Sequence, residues 1–110
     1  MSDSSIQSLQ EASFTQHVLQ ADLPSVVVLG ATWSEDTTRM LPLIEQHARQ
    51  FDDKVNTWQL DVDLSDVLVG QFTINALPVL LAVRDGAILK RLNGLSPSPE
   101  IEELYTFLTK

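Results

Sequence analysis

The sequence predicts an α/β fold: a three-layer α/β/α sandwich whose central sheet is mixed and closes in a C-terminal antiparallel hairpin. Three observations predict it. Val26-Val27-Val28-Leu29 is an all-apolar run, largely β-branched, suited to a strand covered on both faces. From Glu35 to Phe51 the positions Met40, Leu43, Ile44, His47, Ala48 and Phe51 keep helical spacing. Asp85-Gly86, between Val79–Arg84 and Ala87–Leu92, is the dipeptide that a tight hairpin turn needs.

Taken in chain order, residues 1–10 are polar and are expected to be poorly ordered or to form a short N-terminal helix. Ser13 with Gln16 has the spacing of a capping box and opens a short helix through Phe14, Val18 and Leu19. Pro24 ends that segment, and the strand Val26–Leu29 follows. Ser34 stands where a cap for the helix Glu35–Phe51 is needed. Pro42 lies inside that helix and is expected to kink it, because the Thr38 carbonyl loses its amide partner. Val55–Val62 alternates as a second strand, with Val55, Thr57, Gln59 and Asp61 on one face and Asn56, Trp58, Leu60 and Val62 on the other. Leu64–Phe72 contains a short helix beginning near Ser65 or Asp66. The hairpin comes next. Ser98-Pro99-Glu100 then combines a cap, a first-turn proline and first-turn acids, with Ile101, Leu104, Tyr105 and Leu108 as the buried stripe. The order α-β-α-β-α-β-β-α fits one domain over residues 1–110.

Composition narrows the function classes. The chain has 110 residues and no cysteine, so disulfides, thiolate catalysis and cysteine-ligated metal have no residues to use. Fifteen Asp/Glu against seven Lys/Arg give a net charge of −8, which disfavours nucleic acid and acidic membrane surfaces. Neither a basic, apolar leader nor an apolar span is evident, so a cytoplasmic location is the expectation. Phosphate-cradling glycine loops, Gly-x-Ser-x-Gly and His-Glu-x-x-His are absent, and the reading assigns no cofactor and no metal.

From Phe14 to Leu108 the ordered landmarks resemble the thioredoxin family. In that family a hydrophobic strand runs into Trp-Cys-Gly-Pro-Cys and a proline-kinked helix. Here Val26–Leu29 runs into Trp33-Ser34-Glu35-Asp36-Thr37, with Pro42 at the kink position. The family's cis-proline segment corresponds to Leu77-Pro78-Val79, and its hairpin and groove glycine to Arg84-Asp85-Gly86 and Asn93-Gly94. The resemblance implies that Ser34 and Thr37 replace the nucleophilic and resolving cysteines. It also implies that Val28 and Gln59 replace the buried aspartate and the lysine that assist proton transfer. A serine hydroxyl without an adjacent base is a poor nucleophile. The expectation is a redox-inactive member of the family, with its reductase, oxidase and isomerase activities lost.

What the resemblance leaves is a groove. It implies that Leu77 offers backbone hydrogen bonds to an extended polypeptide beside Pro78, with Trp33, Ala76, Gly94 and Leu95 lining a shallow apolar trough. Ser34-Glu35-Asp36-Thr37 reads either as a polar recognition loop or simply as a capped helix start, and Trp33 either as a binding anchor or as scaffold packing. The acidic loop implies protein clients with basic residues facing Glu35 and Asp36. Redox-inactive relatives include co-chaperones and hydrogenase-maturation accessory proteins, so a chaperone, co-chaperone or assembly factor is the leading reading. A scaffold subunit of a homo-oligomer or larger complex is the second. A third is an enzyme using Ser34 or the Asp61/Asp63 pair, whose plain alternative is two acids at a strand end. His47 reads as a core histidine and His17 as a surface one. The clients and the oligomeric state are left open.

Overall fold

A computed structural model of the chain describes residues 4–110. Its elements are β1 (Ile6–Ser8), a 3-10 turn (Glu11–Ser13), a π-helical turn (Thr15–Leu19), β2 (Ser25–Gly30), α1 (Glu35–Gln50), β3 (Asn56–Asp61), a second 3-10 turn (Val62–Leu64), α2 (Asp66–Phe72), β4 (Val79–Arg84), β5 (Ala87–Asn93) and α3 (Ser98–Leu108). The five strands lie in the order β1-β3-β2-β4-β5. β3 runs parallel to both β1 and β2, whereas β4 is antiparallel to β2 and to β5. The fold is the expected mixed-sheet α/β sandwich.

Side-chain parity along the central strands makes the layers. Val26 and Val28 on β2, with Leu80 and Ala82 on β4, pack against Met40, Ile44 and Ala48 of α1 and Ile101, Leu104 and Tyr105 of α3. Val27 and Leu29, with Val79, Leu81 and Val83, point the other way onto Phe14, Val18 and Leu68. Val26–Leu29 of β2 and Val79–Val83 of β4 are therefore apolar at every position because both faces are covered. The same parity holds on β3. Leu60 and Trp58 join the second layer, while the Thr57 hydroxyl hydrogen-bonds the Tyr105 phenol at 2.6 Å under α3. Burial pushes the Tyr105 pKa up, although the Thr57 bond works the other way. His47 is buried on α1 and pairs through Nε2 with the Ser98 hydroxyl at 3.0 Å, joining α1 to α3.

Three local expectations need correcting. Ile6–Ser8 is a strand, neither a frayed end nor a helix, so the sheet has one strand more than the sequence suggested. The reason is pairing: Ile6 registers with Thr57 on β3, and the Glu45 carboxylate of α1 accepts from the Ser4 hydroxyl and the Ser5 amide. Residues 1–3 lie outside the described residues. The Ser13–Gln16 capping box is not made, since Ser13 closes the 3-10 turn by donating its amide to Gln10 and Phe14 precedes the π-helical turn without a side-chain cap. Nor does Ser98 cap α3. Pro97 occupies the cap, Ser98 is the first helical residue, and its hydroxyl is engaged by His47.

The remaining boundaries fall close to expectation. Asp85 and Gly86 take φ of +53° and +79°, the backbone of the hairpin turn that Asp-Gly favours. α1 is continuous from Glu35 to Gln50 with Pro42 inside it. No helix among the described residues is long and apolar enough to cross a membrane.

Candidate functional site

The site is built where β2 hands the chain to α1. Gly30 ends β2 because the Thr37 side chain folds back over it: a Cβ at Gly30 would lie 2.5 Å from Thr37 Cγ2. The Thr37 hydroxyl accepts from the Ala31 amide at 3.5 Å, and its own amide donates to Ser34 Oγ at 3.2 Å. Ser34 is thus the N-cap of α1, as expected, and both it and Thr37 are nearly buried. The two hydroxyls at the positions matched to the family's cysteines hold the turn together. Neither histidine is beside them, because His47 bonds Ser98 and His17 stacks on the Trp58 ring with centroids 5.5 Å apart.

Trp33, one residue earlier, projects outward and is 67% exposed. Its indole Nε1 donates to Asp63 Oδ2 at 2.7 Å, so Asp63 fixes the ring. Asp61 is also occupied: its Oδ1 accepts from the Asp63 amide at 2.9 Å and caps the second 3-10 turn. These bonds give both acids a part in the local structure. Among the described residues no group of three or more His, Asp or Glu is placed to hold a metal ion.

The opposite wall comes from the segment before β4. The Leu77–Pro78 peptide is cis, Pro78 is buried, and Leu77 is half-buried above it. Gly94 lies alongside with φ of +77°, its amide bonded to the Pro78 carbonyl at 2.8 Å, and a Cβ there would come within 3.4 Å of the Ala76 Cβ. A side chain at this φ would be strained. Among the described residues, no backbone group of Asn75, Ala76 or Leu77 bonds another backbone group.

Between these walls is an open groove of 590 Å³. Of the expected residues it brings together Trp33, Ser34, Asp36, Ala76, Leu77, Gly94 and Leu95. Glu35, Thr37 and Pro78 do not line it. Glu35 points to solvent and pairs with Arg39 at 2.7 Å, Thr37 is turned under Gly30, and Pro78 forms the buried support behind Leu77. The groove gains Val62, Val69, Ile74 and Asn75, which sequence reasoning missed. Ile74 and Asn75 directly precede Ala76, and that adjacency was a usable signal. Val62 and Val69 are brought in by the α2 connection, whose path no motif announces. Chemically the groove is an apolar trough with one charged lining side chain, Asp36.

The comparisons with known proteins agree with this architecture. The family model described as Thioredoxin matches residues 5–108. The chain is similar to the thioredoxin of Alicyclobacillus acidocaldarius, with 33% identity over 94 residues that cover 86% of this chain and 89% of that protein. It is also similar to thioredoxin 1 of Synechococcus elongatus, with 26% identity over 87 residues covering 79% of this chain and 81% of that one. The thioredoxin of Rhodospirillum rubrum gives 26% identity over 95 residues, covering 86% and 91%.

Proposed function

The chain belongs to the thioredoxin family, and from that premise we propose that it is a redox-inactive polypeptide-binding module acting as a chaperone, co-chaperone or assembly factor. Thiol–disulfide exchange through its own thiols has no nucleophile, because the chain contains no cysteine. The observation that carries the proposal is the groove itself. With the thiol chemistry gone, an open apolar trough still presents a largely exposed tryptophan opposite backbone at 75–77 that bonds no other backbone group among the described residues. Exposed aromatic surface of this kind is characteristic of interface anchors. Backbone without a partner beside an apolar trough suits an extended segment, which supplies strand-type hydrogen bonds and side chains together. On this reading the protein is not an enzyme and works in the cytoplasm. The comparisons name thioredoxins and do not single out hydrogenase maturation among the possible assembly roles.

A second reading, a structural subunit, draws on a different surface. Leu64 and Val67 are 78% and 68% exposed and lie outside the groove lining. Affinity capture from the source lysate separates the two. A variant carrying Trp33→Ala with Leu95→Ala removes the exposed groove walls and leaves the core intact; one carrying Leu64→Ala with Val67→Ala removes the other surface. The groove reading predicts that the captured partner is lost from the first variant and kept by the second. Loss from the second alone would overturn it in favour of the structural subunit.

A further inference from the structure

The groove's chemistry defines its occupant more narrowly than "polypeptide". We propose that the segment bound there is extended and pairs an apolar side chain with an adjacent Lys or Arg. The inference rests on the groove being a polypeptide site and adds the identity of the residues it selects.

Three features specify the occupant. The trough between Trp33, Ile74, Leu77 and Leu95 is apolar, so it takes an apolar side chain. The backbone of Asn75–Leu77, which bonds no other backbone group among the described residues, favours an occupant that is itself extended and brings its own amides and carbonyls. The third is charge. Asp36 is the one charged residue lining the groove and makes no ion pair among the described residues. The neighbouring carboxylate, Asp63, accepts from a neutral indole and makes no ion pair among the described residues. No Lys or Arg lines the groove. Arg39 is turned onto Glu35, and Arg91 is turned onto the carbonyls of Phe72 and Thr73. A cation next to the apolar anchor therefore meets a carboxylate that no Lys or Arg side chain pairs among the described residues, whereas an acidic residue there would be repelled. The net charge of −8 extends the same preference to the approach of the partner.

The selectivity is local to Asp36. Glu35 precedes it at the same helix end, but it is already paired with Arg39 and does not line the groove. The two residues thus supply a matched pair of charge removals, each with a similar cost to the helix N-terminus.

The test uses two fluorescein-labelled synthetic peptides with the same Val-Leu-Val centre, one flanked by arginines and one by glutamates, titrated with the full chain and read by anisotropy. The expected result is binding of the arginine peptide over the glutamate peptide. Asp36→Asn should weaken arginine-peptide binding about 2–5-fold, Glu35→Gln should leave it within error, and Trp33→Ala should weaken it further. Equal binding of the two peptides, or equal effects of Asp36→Asn and Glu35→Gln, would overturn the charge selectivity. In that case, loss of binding in Trp33→Ala would leave the groove reading standing. Binding of neither peptide, or binding indifferent to Trp33→Ala, would overturn both.

Discussion

At the residue scale the geometry turns on Gly30 and Thr37. The threonine that the resemblance sets at a cysteine position is committed to the fold: its methyl group occupies the space above Gly30 and its hydroxyl receives the Ala31 amide. Adding a methyl group at Gly30 forces buried atoms apart, a cost of about 1–3 kcal/mol. Gly30→Ala should therefore lower stability by that amount in chemical denaturation, and Thr37→Ser in the same chain should restore part of it by deleting Cγ2. If Gly30→Ala is neutral, or Thr37→Ser gives no rescue, the contact does not constrain the turn. Trp33 and Asp63 form a second such pair, legible only in three dimensions. Thirty residues separate them, and no local pattern ties an aromatic at a helix entry to an acid after a later strand.

At the scale of elements, the strand that sequence reasoning missed is the instructive case. Ile6-Gln7-Ser8 carries one apolar residue and no alternation long enough to read, so its strand character comes from its partners. Glu45 is the tie from α1. Partial burial acts to raise its pKa, but the Ser4 hydroxyl, the Ser5 amide and Arg49 outweigh it and hold the carboxyl below its ordinary value. A lowered native pKa means that the charged form stabilises the fold. The contribution is complete above the ordinary glutamate range, about 4.3, and fades as the pH falls through the native value. Glu45→Gln is expected to cost about 1 kcal/mol at neutral pH, with the gap to the native chain closing in acid. A gap that stays constant in urea melts from neutral pH down to about pH 3 would show that the Glu45 charge does not secure β1. The central strands, by contrast, were readable because burial on both faces leaves an uninterrupted apolar run. The hairpin was readable because its turn needs positive φ, which Asp-Gly supplies.

At the scale of the whole molecule, the family architecture has persisted around a site emptied of thiols, and the order of landmarks made that visible without coordinates. The loop residues Trp33–Asp36 and the Ala76–Pro78 segment could be placed beside each other through the resemblance alone. The depth of the groove could not, because Val62 and Val69 enter it through the path of α2. On the proposed reading the acidity of the molecule and the apolar trough act together: long-range attraction would bring a cationic segment to a surface where local contacts would hold it. The central claim is that this trough is the working surface. A photo-crosslinking amino acid, benzoylphenylalanine, tests it most directly when placed at Leu95 and, in a separate preparation, at Val67, both exposed, the first lining the groove and the second outside its lining. Irradiation in source lysate should give a discrete adduct from position 95 and none from position 67. An adduct from position 67 with none from position 95 would contradict the account.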